Sequence, residues 1–333
     1  PGRGTMNQSA VHSYRFGPSR VESAVPLPVL PLATDRGAGA DLFVQSGRTR
    51  AVLEPVAHWR HHWLDANGTA TLSLASEGDG YRLRFPGLCD FLIDADATGI
   101  RVEPVEGLDP NTLEHLIVDQ LLPRVLAHRG ALVAHASVVR VHGRAILFLG
   151  HSGWGKSTLA SLLHDVGQRL LSDDCALLVA TPDAIRVVPT YPSLRLFGDS
   201  LGQTTAGADA ATTPVAAYSP QQRLTLGPAE AEDSTWPLQA IYLLNDPASP
   251  ARSHAITPIA PALACMALVE HSFRLDLAST GHTTAALRQA AAVLRHAPAF
   301  TLAYPRDYAA NGMLLDTLAT HLANLPNPMS EPA

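Results

Sequence analysis

Cysteine is scarce in this chain. Cys89, Cys175 and Cys265 are scattered over 333 residues. An odd, dispersed set builds no disulfide framework, and neither C-x-x-C nor H-x-x-x-H metal spacing stands around them. A reducing cytoplasm is the expected setting. Charge is also thin: charged residues make up 16% and the net charge is −6. That leaves no basic excess to hold a nucleic acid. No apolar run approaches the roughly 20 residues needed to cross a bilayer, so a membrane is not an expected partner either. Aromatic residues are only 6%, yet hydrophobic residues reach 46%. That content excludes a disordered polymer and suits one large domain or two moderate ones.

Pro1–Thr5, ahead of Met6, reads as an expression scar, and the chain is expected to start at Met6 without a signal peptide. Residues 6–105 predict a smaller β-rich N-terminal region. Ala70–Ala75 and Tyr81–Phe85 alternate apolar and polar residues as half-buried strands do, and 90–94 and 99–103 continue the pattern. Val25–Pro31 is punctuated by proline and reads as extended. In Trp59-Arg-His-His-Trp63 the adjacent histidines diverge on either a strand or a helix, which favours a surface cluster over a metal site. Residues 106–325 read as an α/β domain, and 326–333 as a flexible tail.

What the sequence does have is Gly150-His151-Ser152-Gly153-Trp154-Gly155-Lys156-Ser157, which fits G-x-x-x-x-G-K-[ST]. Ala145–Leu149 before it is a short apolar run, read as a buried strand, and Thr158–Val166 after it has helical spacing and stops at Gly167. Strand, glycine loop and helix are the setting a phosphate loop needs. Glycines let the backbone aim its N–H groups at an anion, and the helix N-terminus adds positive partial charge. Lys156 can reach the outer phosphates, and the Ser157 hydroxyl can ligate magnesium.

Pro110–Ala127 predicts a helix kinked or restarted at Pro123. Ala131–Val141 predicts one strand or two short ones. Arg169–Val179 is an apolar strand interrupted by Ser172, Asp173 and Asp174. Two adjacent acids are costly to bury unless paired or metal-bound, and a magnesium ion beside the loop would supply a partner. The open alternative is a charged turn. Residues 206–220 predict a loop near the site or a surface excursion. Leu238–Leu244 and Phe300–Tyr304 predict strands, and Pro261–Glu270, Thr283–Arg295 and Asp307–Leu322 predict helices.

The string His135 … Gly150-x-Ser152-Gly153-x-Gly155-Lys156-Ser157 … Gly167-x-Arg169-Leu170-x-x-Asp173-Asp174 resembles the catalytic domain of HPr kinase/phosphorylase. The resemblance covers about residues 131–178. It implies an α/β fold similar to phosphoenolpyruvate carboxykinase, and an ATP- and Mg2+-dependent serine kinase. The family's second, E-I-R-G-type signature is absent, and Tyr191-Pro-Ser-Leu-Arg-Leu-Phe197 stands roughly in its place. With Tyr304-Pro-Arg-Asp307, this departure looks more like the related lasso-peptide kinases, which phosphorylate the C-terminal serine of a precursor peptide.

Physics and resemblance together imply a set of roles. Residues 150–158, including His151, Trp154 and Thr158, would line the nucleotide, with Lys156 on its phosphates. Ser157 and Asp174 would hold magnesium, and Asp173 would accept the serine proton. His135 would tune charge beside Asp173 or the γ-phosphate. Arg195 would contact phosphate, because guanidinium matches phosphate oxygens in a fork. Arg195 or Arg306 could instead hold a terminal carboxylate. The expected partners are a nucleotide and a peptide with an acceptor serine. A carrier-protein serine kinase, a nucleotide hydrolase or switch, a peptide-binding module and a homo-oligomer stay open.

Overall fold

The computed structural model describes residues 10–34, 39–191, 193–202, 204, 212–225, 235–249, 251–306 and 311–326. Residues 1–9, with the expected scar and start, fall outside the described residues. So do 206–211 of the expected loop, 307–310 of the last helix and 327–333 of the tail. The chain is mixed α/β with several sheets and divides into two compact units, Pro1–Val118 and Asp119–Ala333.

The first unit holds an eight-stranded sheet. Five strands form an antiparallel meander: His61–Leu64, Ala70–Glu77, Gly80–Phe85, Cys89–Ile93 and Gly99–Pro104. Leu42–Ser46 joins its edge in parallel and leads to the hairpin His12–Phe16 and Ser19–Ser23. The alternation in the sequence predicts half-buried strands, but Cys89–Ile93 is buried at every position. Asp90 allows this, because two arginines neutralise it inside the unit. Val25–Pro31, expected to be extended, contains bends and a turn. His61 and His62 diverge as expected. The His61 ring meets Trp63 edge-on at 4.6 Å, while His62 Nδ1 bonds the Ser73 hydroxyl at 2.8 Å.

The helix Pro110–His115 runs through a π-helical segment, Leu116–Leu121, into the helix Leu122–His128. The wide turn falls just ahead of Pro123, which has no N–H to donate and whose ring crowds the preceding turn.

The second unit is built on a nine-stranded sheet. Its middle strand, Arg144–Leu149, is apolar along nearly its whole length because both faces are covered. Ala145, Leu147 and Leu149 pack with Leu268 and Val269 of the helix Pro261–Glu270, and with Ala290 and Val293 of the helix Thr280–His296. Ile146 and Phe148 face the opposite way, toward Leu159 and Leu163 of the helix Lys156–Asp165 and Leu314 and Leu318 of the helix Asn311–Asn324. Each buried Leu or Phe contributes about 1.5–3 kcal/mol, so the strand is firmly held where the glycine loop leaves it. On one side it pairs in parallel with Trp236–Leu244, which pairs in parallel with Ala299–Ala303. On the other side it pairs antiparallel with Ser137–Val141, and that strand with Arg169–Ser172. A three-stranded sheet joins Ser193–Leu196, Gln222–Thr225 and Thr212–Pro214. Among the described residues, no helix is long and apolar enough to cross a membrane.

Candidate active site

The glycine loop connects the strand Arg144–Leu149 to the helix Lys156–Asp165. Two of its glycines have no substitute. Gly150 has φ 156°, and a Cβ there would press on the Trp154 ring at 3.1 Å. Gly155 caps the helix at φ 88°, and a Cβ there would lie 2.8 Å from Arg306 Nη1 and 3.1 Å from the Tyr304 hydroxyl. Trp154 covers the loop and packs on the core beneath it, with His151 edge-on at 4.7 Å. Thr158 bonds the Ser200 hydroxyl at 3.0 Å. Lys156 is buried, and its ammonium donates to the carbonyls of Gly150 at 2.8 Å and His151 at 3.2 Å. Burial lowers its pKa, and the nearby Asp174 and Asp173 oppose that shift.

The acid pair arises from a gap in the sheet. Leu132–Ala134 and Ala176–Ala180 pair antiparallel with Ala134 opposite Ala176, and Ser137–Val141 and Arg169–Ser172 pair with Val138 opposite Ser172. The pair Val138–Ser172, ahead of a register shift at Val139, keeps the register of Ala134–Ala176, so residues 135–137 face 173–175 with no ladder pair between them. The gap lets side chains meet where ladder bonds would otherwise run. The Ser137 hydroxyl donates to Asp173 Oδ1, and His135 Nε2 bonds Asp174 Oδ1 at 2.9 Å. Asp174 takes φ 62°, which turns its carboxylate away from its neighbour's.

Arg195, on the strand Ser193–Leu196, ties the pair together. Its backbone N–H donates to Asp173 Oδ2 at 3.1 Å, its Nε donates to Asp174 Oδ2 at 2.5 Å, and its Nη2 pairs with the same oxygen. Its Nη1 lies 3.4 Å from Asp119 Oδ2. Asp119 also receives Arg223 Nη2 at 2.5 Å and the Tyr191 hydroxyl. Arg195 and Arg223 stand opposite each other in register, and Asp119 relieves their repulsion.

Environment separates the two acids. Burial first, and then the charge of Asp174, push the Asp173 carboxyl up to about 7. Burial also acts upward on Asp174, but Arg195, His135 and Lys156 hold that carboxyl well below the usual range. Burial lowers the His135 pKa against the pull of Asp174.

Three expected site residues make the following contacts. Ser157 is paired with Asp173, not Asp174: its hydroxyl donates to Asp173 Oδ1 at 3.1 Å. His135 sits at Asp174 and not at Asp173. The Arg195 guanidinium, expected at a phosphate, bonds Asp174 and lies beside Asp119. Sequence reasoning also missed Ser137, Asp119 and Arg223. An acid inside the apolar run Leu116–Leu122 is the same signal that singled out Asp173 and Asp174, so Asp119 was within reach. Arg223 carries no comparable signal.

Hard oxygen donors fit magnesium, and Ser157 with Asp173 is such a pair. Among the described residues no group of three or more His, Cys, Asp or Glu could hold a metal ion. Magnesium needs no such cage when one or two protein oxygens act beside phosphates.

No family model matches the chain, and no curated protein does. Among solved structures it is similar to the HPr(Ser) kinase/phosphatase from Coxiella burnetii, at 14% identity, over 57% of this chain and 97% of that one, with a TM-score of 0.29. A likeness at that score carries no functional weight.

Proposed function

We propose that this protein is an ATP-dependent serine kinase that transfers the γ-phosphate to a serine hydroxyl of a peptide. One observation carries the reading: two adjacent buried carboxylates are driven apart in proton affinity, and one of them, Asp173, lies against the serine of a glycine loop that holds a buried lysine. Phosphoryl transfer asks the protein mainly for position and charge. Lys156 and the loop amides would hold the β- and γ-phosphates. Asp173 would accept the acceptor's proton, since a base poised near neutral pH serves best. Asp174 would work through its bonds to Arg195 and His135, as the fixed negative charge that keeps Asp173 basic. The Ser157 hydroxyl would help hold magnesium, which when bound neutralises charge on the phosphates.

The sequence string shared with HPr kinase/phosphorylase supports the same class. The look of Tyr191–Phe197 and of Tyr304-Pro-Arg-Asp307 supports a finer substrate, the C-terminal serine of a lasso-type precursor peptide. A chain end enters a confined site more readily than a serine within a helix does.

Mass spectrometry tests both levels. With MgATP, a serine-terminated peptide should gain one phosphate, its Ser→Ala version none, and its C-terminal amide one more slowly. Lys156→Ala protein should transfer nothing. ATP hydrolysis with every peptide unmodified would turn the assignment to a hydrolase. Transfer to a folded carrier protein alone would turn it to the carrier-protein kinases.

A further inference from the structure

Three parallel strands run side by side in the second unit: Arg144–Leu149, Trp236–Leu244 and Ala299–Ala303. Their carboxyl ends lead into Gly150, Asn245 and Tyr304. In open α/β sheets, ligands bind at such carboxyl ends. Arg306 reaches back over this edge. Its Nη2 donates to the Asn245 carbonyl at 2.6 Å and to Asn245 Oδ1 at 3.3 Å, and its Nη1 donates to the Tyr304 hydroxyl. The guanidinium lies 4.0 Å over the Tyr304 ring. The 2.8 Å gap from Nη1 to a Cβ built on Gly155 sets it against the loop where the helix begins.

All these partners are neutral. Nε is buried with no hydrogen-bond partner. Asp246 acts on the guanidinium through space, but among the described residues no carboxylate lies within ion-pair distance of it. Arg195 differs, because three acids stabilise its charge. Burial weakens the charged form of Arg306. A half-buried guanidinium with neutral partners has donors left for an anion, and phosphate oxygens fit that fork.

We propose that Arg306 is a phosphate contact, gripping the nucleotide's polyphosphate from the Gly155 end of the loop while Lys156 serves the other end. This rests on the nucleotide reading of the loop. It separates Arg306 from the acceptor peptide, whose carboxylate the sequence also offered it, and from the base.

Calorimetric titration of ADP, inorganic tripolyphosphate and adenosine tests the assignment. Arg306→Gln should weaken ADP and tripolyphosphate by roughly 10- to 100-fold, the worth of a charge-assisted pair, and leave adenosine unchanged. Arg306→Lys should recover part of the loss, and it carries the same comparison should the glutamine variant not fold. Unchanged binding of ADP and tripolyphosphate would overturn the proposal. So would an equal loss for adenosine, which would mark a base contact. If the wild-type protein binds neither ADP nor tripolyphosphate, the nucleotide reading falls first and Arg306 with it.

Discussion

Asp90 in the first unit and Asp173 in the second are both buried, and both sit among arginines. Asp90 is balanced. Arg82 Nη1, Arg84 Nε and Arg84 Nη2 each donate to it at 2.6 Å. Their remaining donors go to Glu77 and to the Glu54 carbonyl. Every charge has an opposite beside it. Around Asp173 the count fails. Asp173 and Asp174 share one arginine, which also serves Asp119. One carboxyl is held down and the other pushed up. A buried charge is therefore no mark of function in itself. A buried charge left short of partners marks a site where a proton, a metal or a substrate completes the set.

The largest effects should come from removing the central acid of each cluster. Asp90→Ala leaves two buried guanidinium groups without their anion and should cost about 3–5 kcal/mol of stability, read as a shift of the urea midpoint. Transfer per folded molecule should not change. Asp173→Asn should do the reverse. Stability should hold or rise, since a like charge beside Asp174 is gone, while transfer falls by roughly 10²- to 10⁴-fold with the loss of a base. Two variants that both lose stability and keep their turnover would erase the distinction between the clusters.

A smaller effect separates a strained backbone position from an open one. Gly155→Ala forces a side chain into φ 88° and toward Arg306, and should lose about 1–2 kcal/mol together with nucleotide binding. Gly153→Ala also carries a positive φ of 80°, but a Cβ there meets nothing within 4 Å. It should lose stability by strain, with a smaller loss of nucleotide binding than Gly155→Ala. Melting temperature and ADP titration on both variants distinguish crowding from strain.

Much of this was legible in the chain. The apolar run Ala145–Leu149, the glycines and the helical spacing after them locate the loop, because local rules govern a strand-loop-helix unit. The helix Pro261–Glu270 follows the sequence reading at both ends. The expense of burying Asp173 and Asp174 also stands out in sequence. Which of the two meets Ser157 does not. Adjacent side chains diverge, and the positive φ that turns Asp174 toward Arg195 is set by contacts 21 residues away. Arg223 reaches Asp119 across 104 residues, and no local pattern reports such a pairing. The buried run Cys89–Ile93 reads as an alternating strand because the sequence does not reveal that arginines cover Asp90.

The smallest expected effect is a pH slope that the unbalanced cluster should hide. Asp173 has a folded pKa of about 7, above its ordinary 3.8. Between those values the folded protein holds a proton that the unfolded chain releases, so this group makes stability fall as pH rises. His271, which meets the His151 ring at 4.9 Å, works the other way. Burial first, and then the charges of His151, Lys156 and His135, take its pKa from 6.5 to about 4. Between those values the unfolded chain holds the proton, so stability falls as pH drops. The two windows overlap from about 4 to 6.5, and the slopes oppose each other there. Melting temperatures in chelator-treated buffer should therefore vary little across that range from these two groups in the wild-type protein. Asp173→Asn removes one arm and should make melting temperature climb with pH. His271→Asn removes part of the other, which His135, His128 and His321 share, and should tilt the profile toward decline relative to the wild type. If Asp173→Asn and His271→Asn tilt the profile the same way, the opposition between the two groups is wrong, and the imbalance assigned to Asp173 goes with it.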